Sequence, residues 1–243
     1  MTRTPLLLLA LTLTAPTALL TACSGDDDDS AGDDDDTEEP IPEEVRATIR
    51  VIDGTTGDPS VGITATWNGN EELTDDTGRA EFIVPSQTDF NVTLSGDEIV
   101  DTWLEGNSGT SDFTFTTAVG SDASFDIFAG FIGATRDPAL AYFTVALDTP
   151  AFQAATGASA TIDAANDGSG ILVNGFPEAG NELIFEAGAI ITFVNVAPGS
   201  VTVAVTPPDG QICLSYPGLS ASDDYLTYEA HAGAVTVAQF ICQ

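Results

Sequence analysis

The sequence predicts an all-β protein, with two antiparallel β-sandwich domains beyond a disordered acidic linker. Three observations carry that expectation. Apolar and polar residues alternate in short runs, as in Val45, Ala47, Ile49 and Val51 against Arg46, Thr48 and Arg50, which is the period of a half-buried strand. Clusters of Gly, Asp, Asn and Pro punctuate those runs, as turns require. No segment carries a helical apolar stripe longer than two turns.

The chain opens with Thr2 and Arg3, then runs apolar apart from threonines from Pro5 to Leu20. Residues 1–22 therefore read as a targeting segment that is removed from the mature protein. The quartet Leu20-Thr21-Ala22-Cys23 resembles the lipobox of bacterial lipoproteins. That resemblance implies cleavage before Cys23 and acylation of its side chain, leaving the protein lipid-anchored to a membrane of the cell envelope. A plain secretory signal and an uncleaved anchor are the other readings. A span needs about 20 apolar residues, and this run is roughly 16 with Pro16 inside it, which disfavours the anchor. Two or more acyl chains, at about 0.8 kcal/mol per buried methylene, hold a protein on a bilayer stably.

Residues 23–44 hold the aspartate blocks 26–29 and 33–36, then Glu38, Glu39, Glu43 and Glu44 on either side of Pro40 and Pro42. With almost no apolar side chain, the run buries too little surface to offset the entropy of ordering. Like charges extend it, to at most about 70–80 Å. It reads as a tether. Consecutive aspartates without turn glycines form no calcium cage.

Beyond the tether, residues 45–243 carry 26 acids against four arginines, a formal −22, and lysine is absent from the chain. Such a surface repels nucleic acid and anionic headgroups, so no nucleic-acid partner is expected. Solubility in a salty medium explains the charge; binding of divalent cations or of a basic partner is the alternative. With Cys23 assigned to lipid, Cys213 and Cys242 remain. In an oxidising compartment such a pair is most simply a disulfide, two buried thiols being the other reading. Two cysteines and the lone His231 do not make a zinc site, and no metal or cofactor is expected.

The first strand series continues at Ala80 to Val84, Phe90 to Leu94, Phe113 to Phe115 and Phe125 to Ile127, with turns at Gly54 to Pro59, Asn68 to Asn70 and Asp75 to Gly78. It predicts a sandwich over residues 45–132. A second over 138–243 would use Tyr142 to Leu147, Ala160 to Ala164, Gly170 to Val173, Glu182 to Glu186, Ile190 to Val196, Val201 to Thr206 and Val235 to Cys242, with one helical turn at Pro150 to Thr156. One larger sandwich is the alternative.

Val51-Ile52-Asp53, Thr56-Gly57-Asp58-Pro59, Val61-Gly62 and Thr74-Asp75-Asp76-Thr77-Gly78 with Phe82 together resemble the carboxypeptidase regulatory-like domain, a transthyretin-like β-sandwich. The resemblance covers residues 45 to about 130. It departs from the family where Pro85-Ser86-Gln87-Thr88-Asp89 replaces the usual Pro-Pro-Gly turn. Asp148 precedes Gly157 by the nine residues that separate Asp53 from Gly62, and Ala197-Pro198-Gly199 supplies the missing turn. A duplicated domain with an insertion near 163–176 accounts for this spacing, as does chance agreement of turn residues.

No catalytic set is legible. His231 could face Ser220 or Ser222 and Asp223 or Asp224, but these crowd a Gly/Ser-rich loop without a Gly-x-Ser-x-Gly elbow. Among the abundant acids none stands out as buried, which acid/base work by carboxylates needs. Asp167-Gly168-Ser169-Gly170 lacks the context of a phosphate-binding loop. Trp67, Trp103, Tyr225 and Tyr228 are the candidate ligand contacts, since aromatics with polar tips suit wet interfaces. The favoured function is a non-enzymatic interaction, adhesion or spacer module with an unidentified protein or glycan partner. The alternatives are a starch-binding-like carbohydrate module and, least favoured, a carboxylate-dependent enzyme.

Overall fold

The computed structural model describes residues 41–218 and 226–243, and Pro40–Gln243 form one compact unit. The first series of elements is β1 (Glu44–Asp53), β2 (Thr64–Trp67), β3 (Asn70–Leu73), β4 (Arg79–Pro85), β5 (Asp89–Ser95), β6 (Thr102–Asn107), β7 (Phe113–Val119) and the helix α1 (Asp122–Phe131). The second is β8 (Ala141–Asp148), β9 (Ser159–Ile162), β10 (Ser169–Val173), β11 (Phe176–Ala179), β12 (Ala187–Val196), β13 (Gly199–Thr206), β14 (Cys213–Ser215), β15 (Thr227–Ala230) and β16 (Val235–Cys242). The fold is all-β with one short helix, as the alternation predicts.

One long sheet spans both series in the order β11-β10-β12-β8-β16-β6-β5-β2-β3, with β14 also on β16. Two smaller sheets, β4-β1-β7 and β15-β13-β9, complete the layers. Most pairings are antiparallel, as expected, but β1 with β7 and β16 with both β6 and β8 are parallel. The physical reason lies in chain order. The C-terminal strand fills the slot between two strands laid down long before it, so no hairpin links it to either.

Side-chain parity on β8 and β16 shows how the layers stack. Tyr142, Val235 and Val237 belong to the apolar core around Ile49, Phe115 and Leu104. Phe143, Val145, Leu147, Ala238, Phe240 and Cys242 belong to a second core around Leu183, Ile191 and Val201. Successive residues of a strand point to opposite faces, so the two cores lie on opposite faces of the shared sheet. That is why every residue of β8 and β16 is buried, and why both read as near-continuous apolar runs rather than clean alternations.

Local chemistry sets the turns. The Asp53 carboxylate accepts the backbone N–H groups of Thr55 and Thr56, and Asp75 those of Thr77 and Arg79, closing Asx-type turns. At Gly78 the backbone is left-handed, with φ 75°, and a Cβ would lie 2.4 Å from the Val51 carbonyl oxygen; only glycine fits. Cys213 lies opposite Cys242 in the β14–β16 register and is bonded to it. The bridge spans 29 residues and contributes about 3–4 kcal/mol on the chain-entropy model.

Two predicted strands and one predicted helical turn are different in the structure. Phe125 and Ile127 lie in α1, where Ser121 caps the N-terminus by accepting the Ser124 N–H and Asp122 sits in the first turn. Phe125, Phe128, Ala129 and Ile132 recur at helical spacing and pack on the first core. Residues Glu182 to Glu186 form an irregular segment that plugs the second core with fully buried Leu183 while Phe185 stays exposed. Its turn ends on Glu186 at φ 68°, which breaks strand geometry. Pro150 to Thr156 is a set of turns without helix.

Candidate functional site

The structure disperses the aromatic candidates. Trp67 is 4% exposed, on the inward face of β2 with its ring centroid 4.8 Å from Phe90 and 5.7 Å from Phe82. Tyr228 is buried on β15 and meets Phe143 edge-on at 5.7 Å. Both positions are core packing, and neither side chain is placed to meet a ligand. Cys23 and Tyr225 lie outside the described residues. Of the remaining tyrosines, Tyr142 is buried and donates to the Phe125 carbonyl oxygen, with burial pushing its phenol up to about 12. Half-buried Tyr216 donates to the Thr114 carbonyl oxygen.

Among the described candidates Trp103 reaches a polar cluster. It is half-buried on β6, on the face opposite Leu104 and the first core. The His231 ring stacks on its indole at 3.8 Å between centroids and 18° between planes. Two residues along the same face stands Glu105, 3% exposed. One of its carboxylate oxygens, Oε2, accepts the backbone N–H of Glu229 on β15 at 2.9 Å. The other, Oε1, accepts from Asn91 of β5 at 3.3 Å and faces His231 Nε2 at 3.6 Å. That imidazole nitrogen is itself buried without a hydrogen-bond partner. Burial pushes the Glu105 carboxyl above the ordinary glutamate range, partly offset by the Glu229 N–H and by His231.

A second buried acid, Asp148 at the end of β8, accepts from the Gln239 amide at 2.9 Å, and burial raises its carboxyl too. The expectation that no acid is buried is thus corrected at two positions. Glu105 is covered by β15 from 124 residues further on, and Asp148 by Gln239 from 91 residues on. No local pattern announces either. Parity offered one signal: with Leu104 facing the core, Trp103 and Glu105 must share the other face.

A third feature is an open cleft of about 980 Å³ where the turns of the first series meet the N-terminus of α1. Asp53, Asp58, Asp97, Glu98 and Asp122 line it, and no basic residue does. Among the described residues no three His, Cys, Asp or Glu side chains come together to hold a metal ion. Neither Glu105 nor Asp148 opens onto this cleft. The Trp103–Glu105–His231 cluster can share and hold a proton, and among the described residues the histidine's Nε2 has no hydrogen-bond partner.

No protein-family model matches the chain, and no curated protein matches it. Among solved structures it is similar to the TIE protein of Bacillus anthracis, at 14% identity over 82% of this chain and 34% of that chain, with a TM-score of 0.25. It is similar to a streptococcal ancillary pilin at 10% identity over 83% of this chain and 63% of that one, TM-score 0.26. A third similarity is to a family 26 carbohydrate-binding module from Eubacterium rectale solved in complex with maltoheptaose, at 11% identity over 82% of this chain and 96% of that one, TM-score 0.25. The chain spans less than two thirds of the length of the first two. At these TM-scores none of the three likenesses bears on what this chain does.

Proposed function

We propose that the chain is an exported cell-envelope protein, lipid-anchored through Cys23, whose β-rich unit is a non-enzymatic interaction or spacer module. The observation that carries this reading is the lipobox-like quartet Leu20-Thr21-Ala22-Cys23, set behind an apolar segment and ahead of an acidic run. On this reading residues 23–44 lift the folded unit off the bilayer. The two strand series act as sandwich modules, 45–132 resembling the carboxypeptidase regulatory-like domain, fused through β16.

The structure supports the module half of the reading through its construction. A strand that serves two cores at once couples their stabilities, and a disulfide one residue from the C-terminus fastens that strand to β14. This suits a rigid body that bears load or presents a surface. The carbohydrate-module alternative loses ground because Trp67, Tyr142 and Tyr228 are buried, leaving no row of exposed Trp and Tyr among the described residues. The carboxylate-enzyme alternative loses ground because both oxygens of Glu105 are engaged in a closed cluster.

The test is Cys23→Ser in the native host, followed by fractionation. The anchor requires the wild type in the membrane fraction and the variant in the soluble or precursor pool. A cleaved variant that stays with membranes rejects it.

A further inference from the structure

Beyond the anchor and the module, the polar cluster on β6 has the construction of a proton-responsive device. The Glu229 peptide unit is held from both sides. Its N–H donates to Glu105 of β6, and its carbonyl oxygen accepts the Thr236 hydroxyl of β16 at 2.8 Å. Since β15 pairs with β13 along its length, these two bonds fasten the small sheet β15-β13-β9 to the long one. His231 follows directly in the turn between β15 and β16 and closes over the site, flat on Trp103. One of the two bonds that link the sheets therefore runs through a buried carboxylate.

We propose that Glu105 and His231 form an acid-tightened clasp between strand β6 and the β15–β16 turn. With the imidazole neutral, Glu105 is a buried carboxylate, and its 3.6 Å separation from His231 Nε2 is beyond hydrogen-bond reach. One proton taken from solvent changes that. Held on Nε2 as N⁺–H···O⁻, it supplies the missing bond and pairs the buried charge while leaving Oε2 an anionic acceptor for the Glu229 N–H. The bond draws the β15–β16 turn onto β6.

The groups around the carboxyl set the direction of the response. Glu229 on β15 repels the Glu105 charge and His231 attracts it. Asn91 on β5, Thr236 on β16 and Trp103 on β6 are uncharged. Desolvation raises the Glu105 carboxyl, so proton uptake by the pair begins above the ordinary glutamate value of 4.5.

The chain's single histidine makes the test direct. In the full-length protein, long-range ¹⁵N–¹H spectra of the imidazole contain one spin system, to be followed from pH 8 to pH 5. Hydrogen exchange of the Glu229 amide is measured on the same samples and corrected for intrinsic rate. The clasp requires Glu229 protection to rise by about tenfold, with the same midpoint as the imidazole, while amides of β1 stay unchanged. Glu105→Gln, which keeps the acceptor for Glu229 and cannot ionise, should hold protection constant across the range. Protection that is flat or falling in the wild type overturns the proposal, as does an unaltered pH dependence in Glu105→Gln. If that variant does not fold, the wild-type comparison of the two midpoints decides alone.

Discussion

Replacing Phe240 by alanine tests whether one strand ties two cores together. Phe240 is 1% exposed on β16 and lies in the second core, while Val235 and Val237 of the same strand lie in the first. Truncating a buried phenylalanine costs about 3–5 kcal/mol, the sum of lost transfer energy and the cavity left behind. With a urea dependence of about 2 kcal/mol per molar for a unit of this size, the midpoint should fall by about 1.5–2.5 M. The assay is equilibrium unfolding followed by indole emission and by far-ultraviolet circular dichroism. With Trp103, which lies on the other face, replaced by Phe in both proteins, Trp67 is the one remaining indole and reports from the first core, on the opposite face of the sheet from the mutation. If β16 couples the cores, both signals shift together and remain one transition. An indole transition left in place beside an earlier loss of dichroism would show that the cores unfold independently, refuting the shared-strand argument.

Two more outcomes follow. Cys213→Ser paired with Cys242→Ser should lower stability by about 3–4 kcal/mol, since the unfolded chain regains the freedom of the closed loop; a thermal melt that does not move would contradict it. Stability should also peak in mild acid. Glu105 and Asp148 have folded-state values raised above the ordinary 4.5 and 3.8, so the folded chain holds more protons and gains stability as pH falls through those windows. Asp53, Asp75 and Asp163, lowered by backbone N–H donors, act oppositely below 3.8. Melting temperature against pH should therefore rise and then fall, with the rising limb shallower in Glu105→Gln; a monotonic fall from neutral pH would reject the assignment.

How far the sequence discloses this molecule depends on the range of each interaction. Strands β1, β4, β5 and β13 are legible because their alternation is a local consequence of having a core on one side. The turns at Asp53 and Asp75 are legible because an Asp side chain satisfies backbone donors two to four residues away. The disulfide follows from counting cysteines. By contrast, Phe125 and Ile127 suit a strand or a helix equally over so short a stretch, and the Ser121 cap decides between them.

Trp67 and Trp103 show the limit at the site. As residue types they are equivalent candidates, yet Trp67 shares the inward parity of Ala65 while Trp103 has the parity opposite to Leu104. Reading parity strand by strand separates them. Glu105 is harder, because its burial depends on β15 arriving from far along the chain. Charge composition points the other way, toward acids that are all solvated.

The anchor is the account's central claim, and the mass of the mature N-terminal peptide tests it most directly. Protein extracted from host membranes and digested should give an N-terminal peptide that begins at Cys23 and carries the added mass of two or more acyl chains. A mature N-terminus at any other residue, or an unmodified Cys23 in protein recovered from the soluble fraction, would contradict it.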